Sequence, residues 1–277
     1  MKIATFVKSF QDWPIPVICH RFKEIGLDGV DLTVRAKGMI EPANAAEQLP
    51  LAAKAALEAG TEILLITSDV TEVNDLSESL FATAGKLGIT RIKLGYYRYK
   101  PFGTLRAQMD EARRQLAAVA KLGRKHGVLP CVHVHSGTYL SSHGTLLYEM
   151  LRDFAPDEVG AYADTLHMAL EGGAEGWRQG LDLLAPWLRL VAVKNFSWFA
   201  GDRDKYGQIQ WKTKVVPVAD GISPIPAFVA TLKQAGYRGD FSMHSEYKGK
   251  HSFEDLDTEA CLKQTVEDLK FFKPLLG

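Results

Sequence analysis

Residues 105–135 read LRAQMDEARRQLAAVAKLGRKHGVLPCVHVH, and the pattern of the chain changes once inside that stretch. Leu105–His126 is rich in Ala, Leu, Lys, Arg and Glu, residues that lose little freedom in a helix. Gly127 follows, the residue type that supplies the left-handed turn ending a helix. Val128–Val134 is then short, apolar and β-branched, which predicts a strand. The same alternation runs outward in both directions. Strands are predicted at Lys2–Val7, Gly29–Val34, Glu62–Thr67, Arg91–Tyr97, Val128–Val134, Glu158–Ala163, Leu188–Val193 and Asp240–His244. Most begin about 30 residues apart, the size of one βαβ unit, and only the last interval is longer, at about 50. A second helix is predicted at Asn44–Ala59, and glycines at 26, 60, 88, 127 and 236 stand where helices should stop before the next strand. Pro224 and Pro226 can open the seventh helix, and the eighth is predicted from about Asp257 to Phe272.

Eight strand–helix units predict an α/β fold, a (β/α)8 TIM barrel occupying residues 1–277 as one domain. The length of 277 residues suits this, since such barrels take roughly 250. The alternative is an open doubly wound sheet, but its glycine-rich phosphate loop after the first strand is missing. No linker or low-complexity segment divides the chain. Lys plus Arg equals Asp plus Glu at 33 each, which argues against a nucleic-acid partner. Cys19, Cys131 and Cys261 are scattered and odd in number, so neither a zinc ribbon nor a disulfide framework is expected. A charge interrupts the N-terminus before a signal-peptide core can form, and no stretch is long enough to cross a bilayer. These features lead us to expect a cytoplasmic protein with no membrane partner.

Barrel enzymes work at the C-terminal ends of their strands. Residues at i and i+2 share one face of a strand, so His133 and His135 should point the same way. Two imidazoles there suit a metal such as Zn, Mn, Fe or Co, although one buried and one surface histidine would give the same spacing. Asp164 and His167 fall where the sixth strand becomes loop, as a hard oxygen ligand and a metal or hydroxyl ligand, or else as a loop cap and a solvated histidine. Glu246 follows an apolar strand, where a carboxylate is rarely buried without a partner; a surface pair with Lys248 is the alternative. Lys194 could act as a base, form a Schiff base, pin a substrate oxygen or pair with Glu246. Arg98 among Tyr96, Tyr97 and Tyr99 resembles a wall for hydroxyls or an anion, and Trp13 and Trp198 could cover a sugar ring, or simply pack.

Three stretches, Gly26–Arg35, Asp164–His167 and Gly236–Tyr247, resemble the sugar phosphate isomerase/epimerase family, the xylose isomerase-like barrels. The resemblance covers nearly the whole chain. It implies a divalent metal (Mn, Co, Fe, Ni or Zn) held by Glu, Asp, His and Glu on the fifth to eighth strands. Asp164 and Glu246 match two of these, and His167 matches a histidine that often touches substrate. His133 replaces the fifth-strand Glu, and the seventh strand, ending Val193-Lys194-Asn195, offers no histidine. The expected ligands are therefore His133, Asp164 and Glu246, with His135 or His167 able to join. The expected activity is isomerisation or epimerisation of a sugar or keto-sugar by proton abstraction next to a carbonyl. Glu246 would be the base, Lys194 or His135 the proton donor, and His167, Arg98, Tyr97, Trp198 and Trp13 the substrate contacts. Alternatives are a dehydratase or lyase on a keto-inositol or 3-keto-glycoside, and a non-catalytic sugar-binding barrel. The endonuclease branch fits poorly with zero net charge and the missing histidine. A small carbohydrate is the expected partner, and a homo-oligomer would fit the resemblance.

Overall fold

A computed structural model describes residues 1–277. Eight parallel strands close into a barrel: β1 (Ile3–Phe6), β2 (Gly29–Val34), β3 (Glu62–Ser68), β4 (Arg91–Lys93), β5 (Leu129–His133), β6 (Gly160–Asp164), β7 (Leu188–Val193) and β10 (Asp240–Met243). Closure is made by β1 pairing with β10 on one side and with β2 on the other, Thr5 lying between Met243 and Val30. The extra length before the last barrel strand is an antiparallel hairpin, β8 (Asn195–Arg203) and β9 (Ile209–Val216), which stands outside the barrel sheet. It accounts for the long last interval in the sequence.

The helices are α1 (Ile15–Glu24), α2 (Ala45–Glu58), α3 (Asp75–Lys86), α4 (Leu105–His126), α5 (Gly144–Leu151), α6 (Thr165–Gly172), α7 (Gly176–Leu184), α8 (Ile225–Gln234) and α9 (Thr258–Leu276). Gly127 caps α4 at φ 67°, a left-handed conformation that a side chain would strain. Asp257 caps α9 by accepting from the Ala260 N–H at 2.8 Å. The expected ends shift by a few residues. The largest change is in β4, which stops at Lys93 rather than Tyr97, because from Leu94 the backbone leaves the ladder, Gly95 N–H bonding Val70 O. No helix is long and apolar enough to cross a membrane.

Apolar side chains of the strands and helices form the main core, and Ala4, Leu64, Cys131, Tyr162, Leu190 and Ala192 gather in a smaller one drawn from five barrel strands. Above this plug the interior turns polar. Asp31 is fully buried on β2, and its carboxylate accepts from Thr67 Oγ1 at 2.6 Å and Ser242 Oγ at 2.9 Å. A buried carboxylate needs such donors to remain in place of an apolar residue. The plug thus supports a layer of polar side chains that leads to the mouth.

On the outer layer, α5 packs on α7 through facing glycines. A Cβ on Gly144 would lie 2.5 Å from Gly180 Cα. Both backbones would have to separate, and overpacking of this kind costs about 1–3 kcal/mol. Gly144→Ala should lower the urea midpoint accordingly; an unchanged midpoint would show that the helix pair yields freely.

Candidate active site

Residues in the C-terminal halves of the eight barrel strands, or just after them, enclose a cavity of about 160 Å³ at the C-terminal mouth of the barrel. Its chemistry centres on Lys194, the residue after β7. Thr165, the first residue of α6, fixes the backbone there: its hydroxyl donates to Lys194 O at 2.7 Å and accepts from Lys194 N–H at 3.1 Å. The ammonium Nζ is thereby aimed between two carboxylates, 3.1 Å from Glu246 Oε2 and 3.4 Å from Asp164 Oδ2. Glu246 Oε1 takes a second ammonium, Lys8 Nζ, at 2.6 Å. Burial alone would favour a neutral lysine, yet the two carboxylates outweigh it and raise the Lys194 pKa above its ordinary value. Burial likewise opposes the charge on Glu246, but Lys194 and Lys8 hold its carboxyl well below the usual range.

Asp164 ends β6 and caps α6, its Oδ1 accepting from the N–H groups of Leu166 and His167 at 2.9 and 3.0 Å. Its Oδ2 faces His133 Nε2 at 3.1 Å. Burial opposes ionisation here too, and His167, Lys194 and the His133 hydrogen bond overcome it. His133 spends its other nitrogen on the Tyr96 hydroxyl at 3.2 Å and stacks on Tyr162 with ring centres 4.4 Å apart. His135 lies against His167, ring centres 3.9 Å apart, and His167 Nδ1 shares a hydrogen bond with Ser136 Oγ at 2.8 Å. Burial pushes all three imidazoles down, His135 to about 4, so at neutral pH they are uncharged.

The structure brings together Lys194, Glu246, His133 and His135 around the cavity, with Asp164 directly behind Lys194. His167 is buried behind His135 rather than lining it. The other four expected substrate contacts do not reach the cavity either. Tyr97 faces the other way, its hydroxyl donating to Thr71 O at 3.0 Å, because the backbone has left the ladder after Lys93 and its turn to Val70 brings Tyr96 inward instead. Arg98 is exposed over the Tyr139 ring. Trp198 sits exposed beside Trp211 on the hairpin. Trp13 packs on Phe10 under Arg21. Sequence reasoning passed over Phe6, Lys8, Arg35, Thr67, Lys93, Tyr162 and His244, which line the cavity. Lys93 did carry a signal, a charge set between the apolar Ile92 and Leu94.

The residues present do not fit the divalent metal that the resemblance implies. No three His, Cys, Asp or Glu side chains converge on one point. The proposed ligands His133, Asp164 and Glu246 turn their donor atoms to one another and to Lys194 and Lys8. An ammonium stands between the two carboxylates, where a cation would sit, and the seventh strand supplies that lysine in place of a histidine.

A closed parallel barrel with a polar, titratable cavity at its C-terminal mouth defines the class. The chain belongs to the xylose isomerase-like TIM barrel family, whose model matches residues 19–275. No curated protein matches it. Among solved structures it is similar to a D-psicose 3-epimerase with D-tagatose from Clostridium cellulolyticum H10, with 15% identity, TM-score 0.73, and coverage of 100% of this chain and 99% of that one. It is also similar to a probable 3-DHS dehydratase from Bacillus anthracis, with 17% identity, TM-score 0.71, and coverage of 98% and 99%. A third is a xylose isomerase-like barrel protein from Mycobacterium smegmatis in complex with magnesium, with 15% identity, TM-score 0.68, and coverage of 100% and 98%. At these identities the likeness is one of fold.

Two outcomes follow from the site. Elemental analysis of protein purified without chelator should give far less than stoichiometric Mn, Co, Fe, Ni or Zn; a stoichiometric metal would show that Lys194 yields its place. Acid should also destabilise the protein early. His135 has a folded pKa below its ordinary 6.5, so its contribution is complete above pH 6.5 and is lost as pH falls toward about 4. By pH 5 that loss is on the order of 2 kcal/mol. Urea midpoints between pH 7 and 5 should fall in the wild type and fall less in His135→Gln.

Proposed function

We propose that the protein is an isomerase or epimerase of a sugar or keto-sugar, working by proton abstraction next to a carbonyl. The observation that carries this is the pairing, in one enclosed cavity, of a fixed ammonium at Lys194 with a carboxylate at Glu246 and a neutral imidazole at His135. An enediolate needs a cation at its oxygen and a base at its carbon-bound proton. Lys194 supplies the first. It is held before the substrate arrives, so little reorganisation opposes charge developing on the carbonyl oxygen. Glu246 is the one carboxylate lining the cavity and takes the proton, its basicity rising as Lys194 shares its charge with the substrate oxygen. His135 follows β5, two strands away from β7 around the ring, and can return a proton from another side of the substrate. No step is assigned to a metal. The three cysteines are free and buried, which suits a reducing, cytoplasmic setting.

The polar lining supports a carbohydrate substrate: only three of the twelve residues around the cavity are hydrophobic. Elimination from the same enediolate is the second reading. It is favoured by the Tyr96 hydroxyl, which lines the cavity and is relayed to His133, a route for protonating a departing oxygen.

Incubation with keto-sugars in deuterated water, followed by NMR, should show deuterium at the carbon beside the carbonyl. Glu246→Gln should slow that exchange by about 100-fold or more, the usual size of a general-base contribution. Growth of an enone absorbance instead would select elimination. Wild-type exchange in Glu246→Gln would remove the glutamate from the role, and no exchange into any sugar would leave a binding protein.

A further inference from the structure

The cavity is not charge-balanced. Four cations line it, Lys8, Arg35, Lys93 and Lys194, against the single carboxylate of Glu246. Lys8 and Lys194 are both spent on Glu246, and Lys194 also on Asp164. Arg35 and Lys93 remain. Arg35 follows β2 and is half-buried, with its guanidinium 5.4 Å from the Phe6 ring centre and no carboxylate partner. Lys93 ends β4 and is only 2% exposed, yet its Nζ has no hydrogen-bond partner at all. It rests 3.5 Å from the centre of the Tyr96 ring.

A buried ammonium without an acceptor is costly, and a protein keeps one only when a partner arrives or when the group is used. The nearby carboxylates are already engaged. Asp31 accepts from Thr67 and Ser242, and Asp69 from the Ala36 N–H. Burial and the proximity of Arg35 bring the Lys93 pKa down to about 7, so an acceptor placed between the two would restore its full charge.

Resting on the sugar isomerase or epimerase reading above, we infer that Arg35 and Lys93 form a subsite for an anionic group of the substrate, and that the substrate is a sugar acid carrying a carboxylate. A guanidinium fork and an ammonium from β2 and β4, the strands flanking β3, match the two oxygens of a carboxylate. A phosphate ester shares the anion chemistry, but it brings more charge and bulk into a small cavity, and the chain has no phosphate-binding glycine loop. The subsite lies on the β2–β4 side of the mouth, and Lys194 and Glu246 lie on the β7–β10 side. The anion would therefore orient the molecule with its reacting carbons toward Glu246.

The test is titration calorimetry of the intact chain with 2-keto-D-gluconate and with D-fructose, which differ only in having a carboxylate or a hydroxymethyl group at C1. The keto acid should bind at least about tenfold more tightly, the usual return on a pair of charge-assisted hydrogen bonds, and less so in high salt. The advantage should vanish in Lys93→Met and in Arg35→Met and persist in Lys93→Arg, which controls for folding. Equal binding of the two sugars, including none of either, overturns the inference, as does an advantage that survives both methionine variants. Tighter binding of D-fructose 1-phosphate than of the keto acid overturns the sugar-acid assignment. Deuterium exchange into D-fructose does not depend on a C1 charge. If exchange is retained while the anion preference is absent, proton abstraction still stands and only the subsite is lost.

Discussion

The arrangement of the site depends on one buried ion cluster. Lys194 places a positive charge between Asp164 and Glu246, tying the ends of β6, β7 and β10 together. Buried ions pay a large desolvation cost, and the cluster persists because each member is satisfied several times over. Asp164 draws on two backbone N–H groups and a histidine, and Glu246 on a second lysine. Removing one member would leave the others uncompensated, so the cluster acts as a unit. Its rigidity suits the role proposed for Lys194, since a charge fixed before the substrate arrives stabilises a developing oxyanion best.

The same cluster explains how the site departs from the ligand set implied by the family resemblance. A histidine at the end of the seventh strand would complete a metal site with neighbouring carboxylates. A lysine there supplies the cation itself, on a tether four carbons long. With Lys194 in place, the histidines at 133, 135 and 167 pack as neutral rings against one another and against tyrosines. Burial lowers the pKa of all three and favours their neutral forms.

Charge is then distributed across the mouth in a consistent way. On one side the cations, Lys8 and Lys194, are matched by the carboxylates of Glu246 and Asp164. On the other, Arg35 and Lys93 stand without acceptors. A net charge of zero over the chain conceals this local excess, which only the folding of β2 beside β3 and β4 assembles.

By itself the sequence determined the barrel, because apolar strand runs, glycine-ended helices and the regular spacing of units are local properties that the parallel sheet merely collects. It also marked Lys194, His133, His135, Asp164 and Glu246, since polar groups at the ends of apolar strands are visible without knowing their neighbours. It placed Tyr97 rather than Tyr96 in the site because the chain leaves the ladder after Lys93, and the facing of a side chain past that point is set by the backbone turn to Val70. It set Trp198 over the substrate because nothing local distinguishes a barrel strand end from the start of an inserted hairpin. Only the tertiary structure decided which charges pair. Lys8 and Glu246 are 238 residues apart in the chain, and Lys194 and Glu246 are 52. Whether an ion meets its partner or stands alone depends on distances of a few ångströms between strands far apart in sequence, and those distances exist only once the barrel has closed.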